Sequence, residues 1–212
     1  MPTVISVMTA LLFGFGAFTT VTSFKDDRPS QYDVKGAASQ ASGQTVSGGL
    51  PAEDEPKFAM ENYQVPAQLP KFLTIEKLHV HARIQTVSAG LNRYINAPDN
   101  IFDVGWYEGG PKPGEQGAAV LTGHVSGPTK RGVFQGITSL VPGDKVSITR
   151  GDDSVLTYTV QEVKSYDNDK VDMDRIMRAD QQALHIITSA GRFNIRTNQY
   201  EPRIAVFAVL ET

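Results

Sequence analysis

The sequence contains no cysteine. No disulfide framework, no cysteine-held metal and no thiol nucleophile can exist in this polypeptide. It also lacks a strong charge bias. Its 20 Lys and Arg stand against 23 Asp and Glu, a formal net charge of −3, which leaves no broad basic surface for nucleic acid. Charge is missing locally too, since residues 4–23 carry none and the first charged side chains are Lys25, Asp26, Asp27 and Arg28. A run of about 20 uncharged, largely apolar residues matches the hydrocarbon thickness of a bilayer. A cleaved signal peptide would call for a basic start, which Met1 to Thr3 does not offer. Residues 1–24 are therefore expected to be a transmembrane anchor, with a cleaved signal next and a buried core helix last.

Residues 25–66 have little that could form a core. The stretch Gly36-Ala-Ala-Ser-Gln-Ala-Ser-Gly-Gln-Thr-Val-Ser-Gly-Gly49 is small and polar, and the segment from Pro51 to Pro56 adds acidic charge. With no apolar period to bury, such a segment cannot offset its ordering entropy, so a flexible linker is expected there. No internal repeat is visible.

Residues 67–212 read as a single β-rich domain. Residues 72–87 are rich in β-branched side chains and partly alternate, which predicts one or two strands. Gly117-Ala-Ala-Val-Leu-Thr122 is a short apolar run, expected to be a buried strand that ends at Gly123-His124. Residues 133–140 suit a short helix. Pro142-Gly-Asp144 and Gly151-Asp-Asp153 are turn signals on either side of Lys145-Val-Ser-Ile-Thr149, with residues 156–163 as the hairpin partner. Asp172 can cap a helical turn running to Met177. Leu184-His-Ile-Ile-Thr188 and Ile204-Ala-Val-Phe-Ala-Val-Leu210 complete the strands. Many short strands with few helices point to a mostly β, closed barrel.

Three side chains stand where chemistry is expected. His124 follows a buried strand, and an imidazole there can move a proton near neutral pH. The plainer reading is a histidine that merely ends a strand, and His79, His81 and His185 show how common that is. His79 and His81 fall on one face of a strand, but no third ligand type stands near them, so a solvated face is favoured over a metal site. Ser189 also follows a buried strand and precedes Ala190-Gly191, whose backbone N–H groups suit an oxyanion; an ordinary turn serine is its plain alternative. Its hydroxyl needs a base, for which His124 is the candidate. Arg203 opens the last strand and has donors suited to an oxyanion or a substrate carbonyl. Arg192 and Arg196 are rivals in the same loop.

Taken together these stretches resemble the sortase family. Gly114-Glu-Gln-Gly-Ala-Ala-Val-Leu-Thr-Gly-His-Val125 resembles the sortase strand ending in Gly-His. Gly132-Val-Phe134 and Leu140-Val-Pro-Gly-Asp-Lys-Val146 resemble the family's segment after the histidine. Leu184-His-Ile-Ile-Thr-Ser-Ala-Gly-Arg-Phe193 is similar to the nucleophile motif, with Ser189 in place of its cysteine and His185 where threonine is usual. Tyr200-Glu-Pro-Arg-Ile-Ala-Val-Phe-Ala208 is similar to the arginine and closing strand. The loop after Ser189 looks most like class F and related sortases.

The resemblance implies an eight-stranded β-barrel with short helices, here preceded by the transmembrane helix. It implies transpeptidation: a cysteine thiolate cleaves a C-terminal sorting motif, and an amine of the cell wall or a pilin releases the thioacyl-enzyme. It maps the catalytic histidine to His124, the nucleophile position to Ser189 and the arginine to Arg203, with Arg196 as alternate. The implied partners are the sorting-motif peptide of surface proteins, the amine nucleophile and the membrane, with no cofactor, no metal and no nucleic acid. The implied location is the cell membrane, single-pass, with the catalytic domain extracytoplasmic. A serine hydroxyl is far less acidic than a thiol, so the chain as given is expected to be inactive. The alternative is a non-catalytic surface pseudoenzyme that binds peptide.

Overall fold

The computed structural model describes residues 50–54, 60–90, 94–167, 170–189, 193–194, 199–200 and 202–212. The expected membrane span lies outside the described residues. Among the described residues no helix is long and apolar enough to cross a membrane.

Among the described residues ten strands occur in chain order: β1 (Pro70–Ile75), β2 (Val80–Val87), β3 (Val104–Tyr107), β4 (Gly117–Gly123), β5 (Lys145–Arg150), β6 (Val155–Tyr166), β7 (Gln182–Thr188), β8 (Phe193–Asn194), β9 (Gln199–Tyr200) and β10 (Arg203–Leu210). Among the described residues a single α-helix, α1 (Met173–Met177), precedes β7. Eight strands close a barrel in the order β1-β2-β3-β4-β7-β10-β6-β5, and β8 and β9 pair separately. The eight-stranded barrel with short helices is thus as expected.

Side-chain alternation splits the apolar residues between two cores. Leu73, Ile84, Leu121, Ile148, Leu184, Ile186 and Val206 fill the barrel interior. Val87, Val120, Ile187, Ala205 and Phe207 form a second cluster with Ile95 and Ile176. β4, β7 and β10 contribute side chains to both clusters. They are covered on both faces, and this is why they read as unbroken apolar runs.

Local chemistry accounts for the shorter elements. The Asp172 side chain accepts a 3.0 Å hydrogen bond from Arg175 N and starts α1. β5 and β6 pair as an antiparallel hairpin whose turn includes Asp153 at φ 62°. Residues 72–87 make two strands, separated by a 3-10 turn at Glu76–Leu78 that ends on His79 in the left-handed region, φ 53°. His79 therefore lies outside β2, and the expected two-histidine strand face does not form. The helix expected over residues 133–140 shrinks to a 3-10 turn, Ile137–Ser139. Gly136 at φ 79° interrupts it, and Val133 and Phe134 are drawn into the barrel core instead.

Of the expected linker, residues 25–49 and 55–59 lie outside the described residues. Residues 50–54 and 60–66 lie against the barrel. Ala52 forms a bridge with Asn100, and Tyr63 hydrogen-bonds the Ile84 carbonyl.

Candidate active site

β4 and β7 run parallel, with Gly123 opposite Thr188, and the ladder continues through a 2.8 Å bond from Ser189 N to Gly123 O. Parallel strands carry their C-terminal ends to the same rim, so His124 and Ser189 emerge side by side although 65 residues separate them. β10 is antiparallel to β7, with Ala205 opposite Ile187. Its first residue, Arg203, therefore reaches the same rim. Residues two apart share a face of a strand. His124 thus follows Val120, Ser189 follows Ile187 and Arg203 precedes Ala205, all on the outer face of the barrel.

The Ser189 hydroxyl lies 3.1 Å from His124 Nδ1. The other ring nitrogen, Nε2, lies 2.8 Å from the Pro98 carbonyl. A carbonyl can only accept, so Nε2 carries a proton. Burial pulls the His124 pKa below its ordinary value, against smaller upward pushes from the Pro98 bond and the Asp99 charge. The neutral ring then presents a bare Nδ1, to which Ser189 O–H donates. This is the arrangement a general base needs.

Two backbone bonds hold the turn past His124: Phe134 N to His124 O at 2.9 Å and Gly132 N to Val125 O at 2.9 Å. Gly132 is required there, because a Cβ would sit 2.3 Å from the His124 carbonyl oxygen.

Arg203 is buried, and its Nε donates to the Thr188 carbonyl at 2.9 Å, directly before Ser189. Its guanidinium lies over the Tyr94 ring, 5.8 Å from the centroid, within cation–π range. Burial lowers its pKa, partly offset by Tyr94. Thr188 also accepts a 2.9 Å bond from Ile204 N on its side-chain oxygen, so one residue ties the segment bearing Ser189 to the start of β10.

The structure therefore joins His124 to Ser189 directly and brings Arg203 to the residue before Ser189. Arg196, Arg192, Ala190 and Gly191 lie outside the described residues. His185 is buried, and its Nδ1 hydrogen-bonds the Ile176 carbonyl at 2.8 Å, which pins α1 to β7. His81 bonds Thr74 at 3.0 Å. Sequence reasoning missed Pro98 and Tyr94. A main-chain carbonyl leaves no trace in side-chain patterns, and Tyr94 had no motif around it.

The sortase domain family matches residues 73–211, and the chain belongs to that family. Solved structures agree on the fold. A Clostridium perfringens sortase D5 transpeptidase is 25% identical with a TM-score of 0.50, covering 68% of this chain and 79% of that one. Sortase C1 from Streptococcus agalactiae is 17% identical with a TM-score of 0.51, covering 67% of each chain. Sortase A from Corynebacterium diphtheriae is 18% identical with a TM-score of 0.51, covering 68% of this chain and 61% of that one. No curated protein matches the chain.

Proposed function

We propose that this is the barrel of a membrane-tethered, extracytoplasmic sortase-type transpeptidase whose nucleophile position holds serine. The Ser189–His124 contact at 3.1 Å is the observation that carries the reading, because it pairs the nucleophile position with its base. With a thiol at position 189, sulfur would attack the backbone carbonyl of a sorting motif. The C–N bond would break, and the leaving amine would take its proton from His124. An incoming cell-wall or pilin amine would then attack the thioester and lose its proton to the same ring. Arg203, fixed through Nε, would turn its remaining guanidinium edge toward the carbonyl oxygen or the bound peptide.

As given, the site is weak. Serine ionises far less readily than cysteine, and a histidine with a lowered pKa is a poor base for it. Ser189 therefore supports the second reading as well, a surface barrel that binds a sorting peptide without turnover.

Ser189→Cys tests both. The variant is expected to cleave a sorting-type peptide from a panel of motifs and pass it to an added amine, with the thioacyl adduct visible by intact mass. His124→Ala and Arg203→Ala in that background should each remove most turnover, by roughly 10²-fold or more for the proton carrier. If Arg196→Ala is the severe change instead, the arginine role passes to Arg196. A Ser189→Cys variant that binds peptide but forms no adduct would leave only the binding reading. The anchor has its own test. Alkaline carbonate extraction should leave the full-length chain in the membrane pellet, and release of the chain would refute tethering.

A further inference from the structure

The acidic stretch near residue 53 takes no part in the Ser189–His124–Arg203 chemistry, yet it is bonded to both loops that flank His124. Residues 50–54 form a strap. Ala52 N donates to Asp99 O at 2.7 Å, and Ile101 N donates back to Ala52 O at 3.0 Å. Asn100 Nδ2 donates to Asp54 O at 2.6 Å. These three bonds hold residues 99–101 next to Pro98, whose carbonyl accepts the hydrogen bond from His124 Nε2.

Glu53 fastens the strap on its other side. Its carboxylate accepts from Thr129 N at 2.6 Å, from the Thr129 hydroxyl and from Lys130 N at 2.9 Å, while Lys130 Nζ donates to Glu53 O at 2.9 Å. These contacts, led by the Thr129 hydroxyl, hold the carboxyl below its usual pKa. Gly127 leaves the room, since a Cβ there would meet Glu53 Oε1 at 2.3 Å. The turn it grips directly follows His124. One side chain thus links the loop after His124 to the loop that fixes the His124 tautomer.

We propose that Glu53 is a positioning residue: by clamping residues 50–54 across the 98–101 and 127–130 loops, it keeps the Pro98 carbonyl on His124 Nε2 and so keeps Nδ1 bare toward residue 189. The proposal rests on the reading of His124 as the general base. Pro98 has no N–H of its own to anchor it, so its carbonyl is placed by its neighbours. An imidazole freed from that carbonyl interchanges tautomers, and only one of them serves residue 189.

The test uses the full chain with Ser189 in place and tautomer-sensitive nitrogen NMR of the His124 ring. The native chain should show a single tautomer protonated on Nε2. Glu53→Ala should collapse that signal toward the averaged pattern of an unrestrained histidine. Glu53→Gln, which keeps one acceptor oxygen, should restore part of it. Gly127→Ala should reproduce Glu53→Ala, and Glu61→Gln, on the 3-10 turn at Met60–Asn62, should change nothing. In the Ser189→Cys background, Glu53→Ala should lower kcat for transfer about tenfold with little change in KM, a fraction of the roughly 10²–10⁴-fold that proton transfer supplies. A Glu53→Ala chain that keeps the Nε2–H tautomer overturns the proposal. So does one that transfers faster, which would make the strap an obstruction. If Ser189→Cys shows no transfer at all, the proposed function fails, while the ring spectra still decide the strap.

Discussion

Thr188→Val changes one atom at the junction of the site and the fold. Thr188 is fully buried, and its hydroxyl oxygen accepts the Ile204 amide at 2.9 Å. Valine fills nearly the same volume but cannot accept, so the Ile204 N–H is left buried without a partner. An orphaned buried donor costs about 1–3 kcal/mol. The added methyl returns at most about 0.8 kcal/mol. The net expectation is a loss of about 1–2 kcal/mol, or about 2–8 °C in Tm for a body of this size. Urea unfolding gives the free energy, and amide exchange at Ile204 gives the cause. Thr188→Ser is the matched control. It keeps the acceptor and loses a methyl, at about 1 kcal/mol. Thr188→Ser should leave the Ile204 amide protected, whereas Thr188→Val should expose it. In the Ser189→Cys background Thr188→Val should also slow transfer, because the start of β10 carries Arg203. A Thr188→Val chain as stable as the parent, with Ile204 still protected, would refute the reasoning.

Other changes probe separate supports. Gly132→Ala would place a Cβ 2.3 Å from the His124 carbonyl oxygen and 2.7 Å from its carbon, both backbone atoms. Crowding of this kind costs about 1–3 kcal/mol, and both Tm and the His124 tautomer signal should change; unchanged values would contradict the contact. Asp103→Asn weakens a pair in which the partly buried Arg83 donates to the buried Asp103 from Nε at 2.6 Å and Nη2 at 2.8 Å, with Gln85 adding a third bond at 2.6 Å. Weakening these charge-assisted bonds should cost about 1.5–3 kcal/mol in urea unfolding, and an unchanged free energy would argue against it. His124 and His185 both have pKa values lowered chiefly by burial. The unfolded chain therefore takes up their protons first, near the ordinary histidine value of about 6.5. Stability should be complete above that pH and fall as pH drops from it toward the two folded values. His185→Gln should flatten part of that slope in a pH series of melts, and an unchanged slope would remove His185 as a source.

Legibility followed the reach of each interaction. β4, β7 and β10 were readable because burial on both faces writes an apolar run into consecutive residues. The β5–β6 hairpin and the Asp172 cap were readable because their signals are local. β3 was not. It is four residues long and pairs in parallel with β2, so its stability comes from partners distant in sequence. The strap failed for the opposite reason. Residues 50–54 have no apolar period, and what orders them is hydrogen bonding by Ala52 and Glu53 to loops at 99–101 and 129–130. In the site, His124, Ser189 and Arg203 were legible as residue types at strand ends. The Pro98 carbonyl that sets the His124 tautomer was not, since every residue but the last has the same carbonyl.

The site depends on parity more than on proximity in sequence. His124, Ser189 and Arg203 share one rim because two parallel strands end where an antiparallel third begins. They share one face because each lies an even number of residues from an outer-cluster side chain: Val120, Ile187 and Ala205. A slip of one residue in β7 would turn Ser189 inward and bring Ile186 out of the barrel core, so the large cost of exposing that core holds Ser189 to its face. Thr188 completes the constraint. As the inward neighbour of Ser189 it is fully buried, and its two oxygens bond the side chain of Arg203 and the backbone of Ile204. The packing that stabilises the barrel thus also sets the direction in which Ser189 faces. Substitutions at position 189 itself, which faces outward and is only half-buried, can therefore change the chemistry while leaving the barrel intact.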